Sequence, residues 1–318
     1  MNRRTLIILI VVLLVLIGLR WMQNRSHESS LAEPDRVALL PGFSMDAFDR
    51  VELRGPAGGE LVLAREAGLW KVASRYGHPA KQAKIDELET ELSALTGQFR
   101  SDREDVLSGY GLGDSTAVSL RLFGTTGEEV EHLLLGASQA RGGGLFLCRA
   151  GESRVYASQS RLLGIFGLWG DNREPDARSF LDMKLWSWDP AEVEAFGIVT
   201  DEGRMDFARA GADSLTGEAV WTLGNAPARA TVVEQVVTTL ANLQGRDLLD
   251  PAEDPGLGEA SRRVEIMLGG GETKVIRFGD NPEGGGDVPF KVDDSDYAYT
   301  LFSSYPDRIF KKREEFLN

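Results

Sequence analysis

Ile85-Asp86-Glu87-Leu88-Glu89-Thr90-Glu91-Leu92-Ser93-Ala94-Leu95-Thr96-Gly97 and, 148 residues on, Val233-Glu234-Gln235-Val236-Val237-Thr238-Thr239-Leu240-Ala241-Asn242-Leu243-Gln244-Gly245 carry one signal twice. Ile85, Leu88, Leu92 and Leu95 recur at spacings of three, four and three, and Val233, Val236, Leu240 and Leu243 repeat those spacings. Side chains three and four apart share one helix face, so each stretch predicts an amphipathic helix with one apolar stripe. Asp86, Glu87, Glu89 and Glu91 fall largely off that stripe. Gly97 and Gly245 follow in phase, where glycine can close a helix. Pro79 suits the first turn of the earlier helix, and Thr231 with Glu234 has capping-box spacing in the later one.

The punctuation around the helices repeats as well. Trp70, Gly111-Leu112-Gly113, Gly136, Gly142-Gly143-Gly144 and Tyr156 return in order as Trp221, Gly256-Leu257-Gly258, Gly279, Gly284-Gly285-Gly286 and Tyr299, at offsets of 142 to 151. This order predicts a duplicated architecture. Around each helix lie short runs that alternate apolar and polar, such as Val118, Leu120, Leu122 and Val264, Ile266, Leu268, joined by glycine-rich turns. The expected class is α+β. Each unit is read as antiparallel β-meanders with one amphipathic helix over a sheet face. The expected bounds are a first repeat at 46–158, an aromatic-rich connector at 159–190, and a second repeat with its tail at 191–318.

Ahead of both units, an apolar run from Leu6 to Leu19 follows Arg3-Arg4, and Thr5 with Arg20, Trp21 and Met22 extends it. Eighteen residues of helix span about 27 Å, close to a hydrocarbon core. Residues 1–22 are therefore read as an N-terminal transmembrane helix meeting the lipid bilayer through 5–22, and 23–45 as a polar tether. The rival is a cleaved signal peptide, but residues 20–29 offer no small-x-small cleavage pair. Charge flanking the run favours the N-terminus inside and the body outside the cytoplasm. The formal charge of the chain is −14; Arg3, Arg4, Arg20 and Arg25 precede every acid, so the rest carries −18. Such a body repels phosphate backbones, which argues against nucleic acid as a partner.

Candidate chemistry is sparse. His27, His78 and His132 lack a second histidine or cysteine at metal-ligand spacing, and no Gly-x-Ser-x-Gly elbow occurs. The lone Cys148 sits in an apolar run and excludes a disulfide framework. No cofactor and no catalytic residue is expected. The acids Asp293, Asp294 and Asp296 are the calcium candidates, read against the alternative of a solvated hairpin turn. Trp169, Trp186 and Trp188 fall in the connector and are the candidates for docking a partner, against the alternative that they pack the two units together.

A Trp-led strand, a helix, the step Tyr110-Gly111-Leu112, a strand ending in Leu133-Leu134-Leu135-Gly136, and a hairpin ending in Val155-Tyr156-Ala157 together resemble the DUF4340 family. The connector segment Arg178-Ser179-Phe180-Leu181-Asp182 resembles that family's step between copies. The resemblance implies an anchored extracytoplasmic bacterial envelope protein of uncharacterised function, encoded near ABC-transporter ATPase and permease genes. It supplies no catalytic residue. The expected role is a non-enzymatic accessory or scaffold subunit, with an integral permease as partner. The rival class is a ligand-binding module with a cleft between the repeats.

Overall fold

The computed structural model describes residues 36–139, 143–186, 188–212, 214, 219–252, 255–257, 262–280 and 286–317. The chain is α+β, with two large antiparallel sheets and few helices among these residues.

The first sheet is built from β1 (Arg36–Ala38), β2 (Phe48–Arg54), β3 (Glu60–Glu66), β4 (Leu69–Val72) and β5 (His78–Pro79) before a helix, α1 (Gln82–Ser93). After the helix come β6 (Thr96–Ser101), β7 (Val118–Gly124), β8 (Glu129–Ser138), β9 (Leu145–Arg149) and β10 (Val155–Ser158). The sheet order is β5-β4-β3-β2-β7-β8-β9-β10-β6-β1. The period-2 pattern explains the faces. Val118, Leu120 and Leu122 are fully buried, while Ser119, Arg121 and Phe123, which alternate with them, are half-buried. A short helix, α2 (Leu162–Ile165), follows.

The second sheet comprises β11 (Val193–Thr200), β12 (Gly203–Ala212), β13 (Ala219–Leu223) and β14 (Ala226–Pro227), then α3 (Ala230–Ala241). It continues with β15 (Asp247–Leu248), β16 (Arg262–Leu268), β17 (Thr273–Phe278), β18 (Asp287–Val292) and β19 (Ala298–Phe302). Its order is β14-β13-β12-β11-β16-β17-β18-β19-β15. Two short helices, α4 (Ser304–Ile309) and α5 (Arg313–Phe316), end the chain. On α3, Val233, Val236 and Leu240 are buried, as the spacing predicts. Beneath that helix Phe196 stacks on Phe207 at 4.5 Å, and Phe207 meets Phe316 edge-on at 4.7 Å. Burying each such side chain contributes about 1.5–3 kcal/mol, so the C-terminal tail is part of this core.

The chain divides into two compact units, residues 1–61 with 86–176, and 62–85 with 177–318. The first unit is tied down by its own final segment. The Arg173 guanidinium donates to the carbonyls of Leu135 (2.9 Å) and Gly136 (2.7 Å), and burial lowers its pKa. The neighbouring Glu174 carboxylate accepts from the N–H groups of Ala57 and Gly59 in the turn between β2 and β3. In the second unit the arm carrying β4 and β5 belongs with residues 177–318. Lys81 N–H donates to the Phe180 carbonyl (2.7 Å), Asp182 N–H to that of Pro79 (3.0 Å), and Arg75 pairs with Asp247.

Three local expectations are corrected. Pro79 does not open a helix turn; it pairs with Lys71 in β5, and α1 starts at Gln82. Thr231 and Glu234 form no capping box, because Arg229 is the residue before α3 and the Glu234 carboxylate instead accepts from Trp221 Nε1 at 2.6 Å. Gly97 and Gly245 do not close helices. Gly97 lies within β6, where a Cβ would come 2.7 Å from Tyr156 and 2.9 Å from Leu39. Gly245 precedes β15, where a Cβ would stand 2.6 Å from the Tyr299 ring. Both glycines are required by a tyrosine packed against the backbone. The apolar segment read as an anchor lies outside the described residues; among those described, no helix is long and apolar enough to cross a membrane.

Candidate functional site

His78 is the residue around which the second unit builds a cleft. It follows a tight turn in which Tyr76 (φ 59°) and Gly77 (φ 70°) both take left-handed backbone, and it pairs with Val72 across the arm. A non-glycine residue in that conformation is strained, and such strain persists where surrounding contacts over-determine it. Here they do: the Tyr297 hydroxyl donates to the Gly77 carbonyl at 3.0 Å. The His78 ring stands edge-on to Tyr297 at 4.7 Å and to Tyr299 at 5.8 Å.

Only 2% of His78 is exposed, and burial pushes its pKa below the ordinary histidine value, against the opposing pull of the Pro79 carbonyl and Asp182. The neutral ring then has one consistent tautomer. The Pro79 carbonyl can only accept, so Nδ1–H donates to it (3.0 Å), and Nε2 accepts from the Tyr299 hydroxyl (3.3 Å). Ser295 Oγ lies 3.4 Å from that hydroxyl and accepts from Tyr297 N–H at 3.1 Å. Burial also raises the Tyr299 pKa. The chain Ser295–Tyr299–His78–Pro79 is thus a satisfied relay that holds two rings rigid.

Beside it opens a cleft of about 410 Å³, within the range of small-ligand sites. Trp186 forms part of the wall, its Nε1 donating to the Leu240 carbonyl at 2.8 Å. Asp182, Lys184, Lys274, Asp294 and Asp296 supply the polar rim. Lys274 is shared between Asp294 and Glu272 (3.0 Å), bonds that raise its pKa.

The acids Asp293, Asp294 and Asp296 lie at the turn between β18 and β19. Asp293 takes two hydrogen bonds from Arg277 at 2.7 and 2.9 Å, which lower its pKa, and Asp294 takes Lys274. The Asp293 and Asp294 carboxylates thus face cations of the protein, and among the described residues no group of three His, Cys, Asp or Glu could hold a metal. The three tryptophans part company. Trp186 and Trp188 contact each other at 5.8 Å and are half-buried, whereas Trp169 is 70% exposed and rests against Gly164.

Two further features were not visible in the sequence. A register shift near Val130 brings Glu129 within 3.5 Å of His132 Nδ1, while Ser119 Oγ meets His132 Nε2 at 2.8 Å. Arg121 shares the same Glu129 at 3.7 Å, so the group reads as a polar ladder across β7 and β8. The other is the meeting of His78 with Tyr299, 221 residues apart. The one available signal was that Asp293-Asp294-Ser295-Asp296-Tyr297 and Ala150-Gly151-Glu152-Ser153-Arg154, which precede Tyr299 and Tyr156 at the same spacing, differ at every position.

Over residues 70–260 the chain matches the family described as a domain of unknown function, DUF4340. No curated protein and no solved structure matches it.

Proposed function

We propose that this chain, which belongs to the DUF4340 family, is a ligand-binding module without catalytic activity, carried on an N-terminal membrane anchor and working outside the cytoplasm as an accessory to an ABC-type transport system. The observation that carries the binding role is the cleft at His78, with its rings held rigid by internal hydrogen bonds. Preorganised walls reduce the ordering cost of binding. The anchor rests on the apolar run Leu6–Leu19, and the transport association on the family resemblance alone.

We read the two sheets as copies of one unit. Supporting this, β5-β4-β3-β2-β7-β8-β9-β10-β6 and β14-β13-β12-β11-β16-β17-β18-β19-β15 run through corresponding elements in the same order. Gly97 with Tyr156 and Gly245 with Tyr299 repeat one contact. What the copies share is then framework, Tyr299 of the cleft included, whereas Asp294 and Asp296 of its rim stand where the first copy has Gly151 and Ser153.

The test is native mass spectrometry of the full chain purified in mild detergent. The binding reading expects a small-molecule adduct that disappears when the exposed rim is reversed by Lys184→Glu with Asp296→Lys. A protein that shows no adduct, alone or after exposure to a metabolite library, defeats it. A second reading, a scaffold that docks a permease, is favoured by the exposure of Trp169. Its check is co-purification: Trp169→Ala should lower recovery of a membrane partner while leaving the unfolding midpoint unchanged.

A further inference from the structure

Each aromatic ring of the cleft has its polar end committed to the protein. Trp186 Nε1 is taken by Leu240, the Tyr297 hydroxyl by Gly77, and the Tyr299 hydroxyl by His78. A ligand therefore meets ring faces and edges, and its hydrogen-bonding partners are the rim side chains. On that rim Asp182 and Asp296 are exposed carboxylates, and the single Lys274 is shared by Asp294 and Glu272. Lys184 is the remaining rim cation. His78 is neutral, so carboxylates outnumber cations around the opening. Rings that present π faces beside carboxylates attract positive charge, and desolvation in a walled site strengthens the effect.

Resting on the binding reading above, we infer that the His78 cleft takes a small organic cation, an ammonium group with an attached apolar part, seated against Trp186 and Tyr297 and paired with Asp182 and Asp296. A neutral polyol can donate to these carboxylates but leaves their charge unpaired, and an anion would meet the excess of carboxylates. Asp182 is an exposed lining residue of the cleft, and its Oδ1 accepts from the Lys184 N–H at 3.3 Å.

The experiment is isothermal titration of the full chain in mild detergent with choline, spermidine and N-acetylglucosamine as separate probes. At ~0.15 M salt, exposed charges farther apart than about 8 Å are largely screened. The expected result is saturable binding of choline or spermidine, weakened at least tenfold by Asp182→Asn with Asp296→Asn, and by Tyr297→Leu. The double substitution Asp114→Asn with Asp201→Asn removes the same charge from exposed positions elsewhere and should leave affinity unchanged. Urea midpoints of all variants separate lost binding from lost folding. The cation assignment is overturned if N-acetylglucosamine binds while both cations do not, if the control pair weakens binding as much as the rim pair, or if no probe binds. An adduct of a neutral or anionic molecule in the mass spectrum would then keep the cleft as a binding site while removing its cation specificity. No adduct and no titration signal would remove both.

Discussion

Gly245 and His78 show how single residues constrain the second unit. A Cβ at Gly245 would sit 2.6 Å from the Tyr299 ring and 2.8 Å from Met183 Cε. Gly245→Ala should therefore destabilise by about 1–3 kcal/mol, the usual cost of forcing a packed ring to move. Gly97→Ala should cost a similar amount through Tyr156, and urea midpoints measure both. If either alanine is neutral, the ring has room to shift and the glycine's role is something else. His78 adds a pH dependence. Burial depresses its folded pKa, while the unfolded imidazole protonates near 6.5. Below that pH the unfolded state binds a proton that the folded state resists, so stability present above about pH 6.5 falls as pH drops and levels off once folded His78 also protonates. Between pH 7.5 and 5.5 the native protein should lose more of its urea midpoint than His78→Gln does. His132, whose pKa is also lowered by burial and then by Arg121, acts in the same direction, so the comparison is repeated with His132→Gln.

At the scale of elements, the helix stripes were legible because spacing three and four dictates a face wherever the backbone is helical. Leu240 on α3 is 1% exposed, and Leu240→Ala should cost about 2–5 kcal/mol through lost transfer and the cavity left behind. The helix ends were not legible. Glycine after an apolar stripe reads as a stop, yet Gly97 and Gly245 are small because a tyrosine from a distant strand lies against them. Thr231 and Glu234 have the spacing of a cap, yet Glu234 is drawn to Trp221, on the strand that α3 covers. Arg209 lies over the same indole at 4.8 Å. In each case a tertiary contact outweighed a local preference worth about 1 kcal/mol. The C-terminal tail is a comparable case, since Ile309 and Phe316 belong to no long apolar stripe in the sequence. Both are fully buried, so deleting residues 304–318 should expose Phe207 and abolish cooperative unfolding of the second unit.

For the whole molecule, the expected repeat boundaries and the compact units do not coincide, because the arm at 62–85 is compact with 177–318. Residues 177–318 expressed alone should consequently fail to unfold cooperatively in urea, whereas residues 36–318 should do so. A cooperative transition from the shorter fragment would mean that the arm is dispensable. From the sequence alone came the α+β class, the two amphipathic helices, the alternating strands and the family, because periodicity and turn residues are local and survive without knowledge of neighbours. The site was beyond it. His78 read as a solitary histidine before a helix, and the acids at 293–296 as a turn or a cation loop. Only the tertiary structure brings His78 to Tyr297 and Tyr299, commits Arg277 and Lys274 to the acids, and opens the cleft beside them. The physical reason is that these contacts close loops of about 220 residues in the first case and about 20 in the second, a cost met by burial across whole sheets and written in no local pattern.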